Sequence, residues 1–201
     1  MDLILVRHGL PATITGGDGP ADPPLNDLGQ LQAERAAEWL ASERIDALYS
    51  SPMARARQTA EPLARVLGLD VAVHDGVAEY DRESAEYIPL EELRRTNYEL
   101  WRQMMKDGLM VDQDPLVFRQ VVAEALEEII AENRGRRVAV VCHGGVINAW
   151  TSYVLGMEKV LFFQPTYTSI NRFAAAGSGE RSVLSLNEAA HLRGIEAGSR
   201  E

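Results

Sequence analysis

Cysteine is almost absent: one residue, Cys142, in a chain of 201. No intramolecular disulfide can form, and a reducing compartment, the cytoplasm, is expected. Long apolar runs are missing too. The opening Leu3-Ile4-Leu5-Val6 is interrupted by Arg7, too soon for a secretion signal. Nothing approaches the roughly 18 to 20 apolar residues that would span a bilayer. Basic residues are scarce, 20 Lys and Arg against 30 Asp and Glu, for a formal net charge of −10. That balance excludes nucleic acid and anionic membrane as natural partners. No His and Cys cluster has zinc-ligand spacing, so neither a metal nor any other cofactor is expected.

What is present is ordinary globular composition, with 46% hydrophobic and 25% charged residues, and a length that suits a single domain over residues 1–201. Leu3 to Val6 reads as a strand buried on both faces, and Val138 to Cys142 as a second. Ile45 to Tyr49, Val71 to Val73, Ile170 to Ala174 and Ser182 to Leu186 read as further strands. Helical spacing follows Asn26, a candidate N-cap, and predicts Trp39 in the core. A second helix is expected from Ser50-Ser51-Pro52, with a hydroxyl at the N-cap and proline at the first helical position, ending at Gly68. Others are expected from Pro115 to Asn133 and from Val146 to Leu155. The fold class is therefore α/β, a three-layer αβα sandwich around a mostly parallel sheet.

Two segments interrupt the alternation. Pro11 to Pro24 is dense in Gly and Pro and reads as a mobile loop, a candidate lid. Residues from Glu79 to about Asp114, with helical character over Leu90 to Met105, read as a cap-like insertion. Trp101, Met104 and Met105 would form its apolar face, while Tyr80 and Tyr87 stay open between core and cleft. Asp112-Gln113-Asp114 is taken as loop.

Open α/β sheets bind ligands beyond the carboxyl ends of their strands. His8 and His143 follow two buried-type strands, Arg7 stands beside the first, and Arg55 begins the helix after a third. Together they would place two imidazoles and two guanidiniums on one rim. Guanidinium forks match phosphate oxygens, and a helix start after Gly145 would offer amide donors. Gly9, Gly144 and Gly145 would let the backbone approach a ligand. A neutral imidazole can attack phosphorus without a metal. A cysteine-dependent phosphatase is excluded, because Asn148 and not arginine stands six residues after Cys142. Arg57 points off the Arg55 face, and His74 and His191, without strand-end context, read as structural.

Leu5-Val6-Arg7-His8-Gly9, Pro24-Leu25-Asn26-Asp27-Leu28-Gly29-Gln30, Ser50-Ser51-Pro52-Met53-Ala54-Arg55-Ala56-Arg57-Gln58-Thr59-Ala60 and Val141-Cys142-His143-Gly144-Gly145 resemble, in order, the signatures of the histidine phosphatase superfamily, in its phosphoglycerate-mutase-like branch. The resemblance spans essentially the whole chain. It implies a phosphoric monoester hydrolase in which His8 carries the phosphoryl group, His143, Arg7 and Arg55 bind it, and Glu79 protonates the leaving oxygen. Asp81 and Glu83 are nearby alternatives for that acid. The implied substrate is a small phosphorylated metabolite, with a phosphoglycerate-type mutase or an inactive phosphate-binding protein as alternatives. Tyr80-Asp81-Arg82-Glu83-Ser84 stands where many members carry Gly-x-Trp-Glu-Gly, so substrate choice is expected to differ. Oligomeric state, a homodimer included, stays open.

Overall fold

A computed structural model describes residues 1–15, 18–107 and 114–195. The fold starts from alternation within two apolar strands. In β1 (Asp2–Arg7), Leu3 and Leu5 face one side of the sheet and Ile4 and Val6 the other. In β4 (Arg137–Cys142), Val138, Val140 and Cys142 share the first side, Ala139 and Val141 the second. Both sides are apolar because helices cover both. α5 (Pro115–Glu132) and α6 (Gly144–Val154) cover the first through Val122, Leu126, Ile129, Ile147 and Trp150. α1 (Asp27–Leu40) and α2 (Ala54–Leu67) cover the second through Ala37, Leu40, Ala56, Ala60 and Leu63.

The sheet has six strands in the order β3-β2-β4-β1-β5-β6, adding β2 (Ala47–Ser50), β3 (Val71–Val73), β5 (Ile170–Ala175) and β6 (Arg181–Glu188). The first four of that order run parallel, while β5 pairs antiparallel with β1 and with β6. The sheet is thus mixed: β3, β2, β4 and β1 form the expected parallel part, and β5 and β6 extend it antiparallel. Among the described residues no helix is long and apolar enough to cross a membrane.

Three local expectations are corrected. The second helix starts at Ala54, not at Pro52, because the Ser51 hydroxyl is engaged elsewhere and Met53 occupies the N-cap position without a side-chain cap bond. The missing cap comes from far along the chain: Asp22 accepts the Ala54 N–H at 2.9 Å. The expected helix over Leu90 to Met105 divides into α3 (Leu90–Thr96) and α4 (Tyr98–Asp107). Asn97 interrupts it by leaving helical geometry and accepting the Leu100 N–H on its side chain at 3.1 Å, as asparagine does at caps. Trp39 is not core. It is 48% exposed, because the buried stripe of α1 passes through Ala36, Ala37 and Leu40 instead.

The remaining elements follow the sequence closely. Asn26 caps α1 through Gly29 N–H, and Gly68 ends α2 in the left-handed region at φ 65°. The described residues of the segment Pro11 to Pro24 are more tightly held than its composition suggests. Ile14 bridges Tyr87, Ala21 donates to the Ser84 carbonyl, and Ala12 donates to the Pro24 carbonyl. Trp101 stacks on Tyr98 with Arg94 above it. Gly16, Gly17, residues 108–113 and the side chains of Met104 and Met105 lie outside the described residues.

Candidate active site

Register places the two histidines together. Val6 pairs with Val141 and Arg7 with Cys142, so His8 and His143 leave adjacent parallel strands side by side. His8 N–H continues the ladder to the Cys142 carbonyl at 2.9 Å, and the imidazole centroids lie 5.0 Å apart. Both rings are buried, His8 at 2% and His143 at 0% exposure. Burial, with Arg55 and Arg7 close by, holds both well below the usual histidine range, so both are neutral at pH 7.

Each ring has one nitrogen committed. His8 Nδ1 lies 2.7 Å from the Gly9 carbonyl. A carbonyl only accepts, so Nδ1 carries the proton and Nε2 keeps its lone pair. His143 Nε2 lies 2.7 Å from Ser51 Oγ, while its Nδ1 is buried without a hydrogen-bond partner.

The guanidiniums are held from behind. Arg7 donates to the Pro165 carbonyl and lies 3.8 Å over the Tyr167 ring. Arg55, fully buried in the first turn of α2, lies 4.7 Å over the Tyr87 ring and donates through Nη2 to Asp81 at 3.2 Å. Its Nη1 is 3.9 Å from Asp22, beyond hydrogen-bond reach, and both Nη1 and Nε lack hydrogen-bond partners. Buried donors of this kind are costly unless a ligand accepts from them. The pocket is therefore built for an anion with several acceptor oxygens.

Glu79 supplies the opposite character. Its carboxylate accepts from Gly145 N–H at 2.9 Å, at the start of α6, and from Tyr80 N–H at 3.3 Å. Burial, then the neighbouring Asp81 charge, push its pKa up to about 7, against the pull of Gly145, Arg55 and Tyr80. A carboxyl poised there can both give and take a proton at neutral pH. Asp81, the alternative acid, is committed to Arg55, and Glu83 pairs with Arg82 on the surface.

The glycines divide by what a Cβ would meet. At Gly145 it would stand 2.1 Å from Glu79 Oε1, so only glycine admits the carboxylate. At Gly144 it would stand 3.7 Å from Arg7 Nε, an ordinary contact, so packing against the protein does not demand glycine there. At Gly9 it would strike the Gly29 carbonyl at 2.5 Å, so this glycine serves the close crossing with α1. His74 caps the 3-10 turn after β3 by accepting from Gly76, and His191 contacts Thr168. Arg57 is exposed.

Sequence reasoning missed Ser51, Asp22 and Tyr167. Ser51 had a signal, since it follows β2 as His8 follows β1. Asp22 had none, because its place depends on the path of the loop. Among the described residues no three His, Cys, Asp or Glu side chains gather as a metal site would need.

Fold and site together define an α/β protein with paired neutral imidazoles and buried arginines at the carboxyl rim of its sheet. The chain belongs to the histidine phosphatase superfamily, branch 1, whose family model matches residues 3–188. A bifunctional protein of Mycobacterium tuberculosis is 32% identical over 200 residues, covering 94% of this chain but 54% of that protein. The chain thus spans about half the length of that relative. Phosphoserine phosphatase 1 of Hydrogenobacter thermophilus is 28% identical over 198 residues, covering 94% of this chain and 93% of its own. Among solved structures, phosphoserine phosphatase from Entamoeba histolytica in complex with 3-phosphoglyceric acid superposes with a TM-score of 0.72 at 25% identity, covering 95% of this chain and 98% of that one. A mycobacterial glucosyl-3-phosphoglycerate phosphatase complexed with VO3 shares the fold at a TM-score of 0.76 and 19% identity, covering 94% and 99%.

Proposed function

We propose that the protein is a phosphoric monoester hydrolase acting on a small phosphorylated metabolite through a phosphohistidine at His8. The observation that carries this reading is the tautomer of His8: Nδ1–H is fixed on the Gly9 carbonyl, leaving a lone pair on Nε2 among buried, unsatisfied Arg55 donors. In the first step Nε2 attacks phosphorus and the bond to the ester oxygen breaks. Protonated Glu79 gives its proton to that oxygen, which leaves as the alcohol. In the second step water attacks the phosphoryl group and passes a proton to Glu79. The nitrogen–phosphorus bond breaks, the lone pair returns to Nε2, and inorganic phosphate leaves. Arg7, Arg55 and His143 hold the phosphoryl oxygens throughout, and the amides of Gly144 and Gly9 lie at the same rim. The charge developing on those oxygens is met by fixed donors, so the scheme uses no metal.

We assign substrate selection to the segments 10–24 and 79–114, which meet above the rim through Ile14 and Tyr87. The names of relatives support a phosphorylated hydroxy or amino acid as the first substrates to try. The test is phosphate release from an aryl phosphate, phosphoserine and 3-phosphoglycerate, with and without EDTA. Activity that EDTA leaves intact and that His8→Ala lowers by about 10⁴-fold or more is expected. Full activity in His8→Ala, or loss on chelation, overturns the proposal.

A further inference from the structure

We infer that Ser51 fixes which nitrogen of His143 carries the proton, and so makes this second imidazole a donor through Nδ1. The inference rests on the phosphohistidine reading for its purpose, and on the packing around Ser51 for its substance. Two arrangements fit the 2.7 Å contact between Ser51 Oγ and His143 Nε2. Either the hydroxyl donates to Nε2, or Nε2–H donates to the hydroxyl. In the second arrangement the serine proton would need another acceptor.

None is available among the described residues. Ser51 and His143 are both 0% exposed, so bulk water does not reach either. The other bond to Ser51 Oγ is the Met53 N–H at 3.3 Å, which donates to the oxygen and cannot take its proton. The neighbouring Ser50 hydroxyl donates to the Ser51 carbonyl at 2.9 Å, and Ser51 Oγ makes no hydrogen bond to it, only to Met53 N–H and His143 Nε2. The hydroxyl therefore donates to Nε2, and the neutral ring carries its proton on Nδ1.

That nitrogen is the one left buried without a partner. As N–H it offers a phosphoryl oxygen a hydrogen bond, whereas the other tautomer would oppose two lone pairs. The two imidazoles then have opposite assignments 5.0 Å apart. The Gly9 carbonyl makes His8 a lone-pair donor at Nε2, and the Ser51 hydroxyl makes His143 a proton donor at Nδ1. Ser51 is a positioning residue, acting on the phosphoryl group only through the ring.

The test is ¹⁵N NMR of the histidine-labelled full chain without ligand near neutral pH, with the His143 signals assigned by their loss in His143→Gln. Wild type is expected to show His143 as the neutral Nδ1–H tautomer. Ser51→Ala is expected to shift it toward Nε2–H and to weaken inorganic phosphate binding about tenfold, and Ser51→Thr to restore both. A wild-type ring protonated on Nε2 overturns the inference without any variant, as does an unchanged tautomer in Ser51→Ala. Because the spectrum is read without turnover, an inactive His143 tautomer and an unphosphorylated His8 are separate failures.

Discussion

Arginines stand at both ends of the parallel strands, and the two groups are built differently. Toward the amino ends, Arg137 places Nε and Nη2 on Asp2 at 3.0 and 2.8 Å. Arg136 donates to Asn133 Oδ1 at 2.9 Å and to the Asp46 carbonyl at 2.6 Å. These side chains reach solvent, and each makes hydrogen bonds to the protein through two of its nitrogens. At the carboxyl ends Arg55 is fully buried, has a carboxylate on one edge and leaves two nitrogens without hydrogen bonds. The residue type is the same, and what sets Arg55 apart, and supports the binding role proposed for it, is a buried donor kept unsatisfied.

The largest effect that would break this comparison is in Arg55. Arg55→Ala should lower kcat/KM by about 10² to 10³-fold, the usual loss when one donor to developing charge is removed. Arg137→Ala should leave turnover unchanged and cost at most about 1 kcal/mol of stability in denaturant titration. Equal effects of both on turnover would erase the distinction.

A smaller contrast lies within one glycine pair. Gly145→Ala should lower turnover roughly a hundred-fold by pushing Glu79 from its seat, while Gly144→Ala, with room for its methyl, should change the rate little. Steady-state kinetics on both, with circular dichroism to check the fold, decides it.

The smallest effect is a shift along the pH axis. The proposed scheme needs Glu79 protonated, and its pKa is raised to about 7, so kcat/KM should fall as pH rises through that value. Asp81 helps to hold this pKa up. In Asp81→Asn the carboxyl ionises more readily and the fall should begin at lower pH. His8, held below its ordinary range, stays neutral across that window and does not set the limb. A limb that stays in place, or moves to higher pH, would remove Asp81 from the tuning of Glu79.

How much of this was legible in the sequence depended on the distance over which each feature is determined. Arg7, His8 and His143 were readable because a short apolar run and the residues just after it are adjacent in the chain, and register then brings them together. The α2 start was not, since its cap is Asp22, reached through a loop whose path no local pattern encodes. The break at Asn97 falls at Thr96-Asn97-Tyr98, three weak helix formers between strong ones, where the Asn97 side chain caps the next turn. Trp39 was misplaced because a wide apolar stripe fits its spacing, although Ala36, Ala37 and Leu40 fill the space available. The net charge of −10 disfavours extended polyanions such as nucleic acid. It does not argue against the proposed anionic ligand, because the pocket's field is set by a few buried donors, whatever the overall sum.

The ties between the loop after β1 and the segment before α4 have an engineering consequence. Ile14 bridges Tyr87, Ala21 is bonded to Ser84, and Thr13 donates to Glu92 of α3 at 2.5 Å. Tyr87 in turn underlies Arg55, and Asp22 on the same loop caps the Arg55 helix. Grafting either stretch alone from a relative would replace one partner of every one of these ties and would loosen the arginine they support. If these stretches select the substrate as proposed, a transplant of that preference must move both as one cassette.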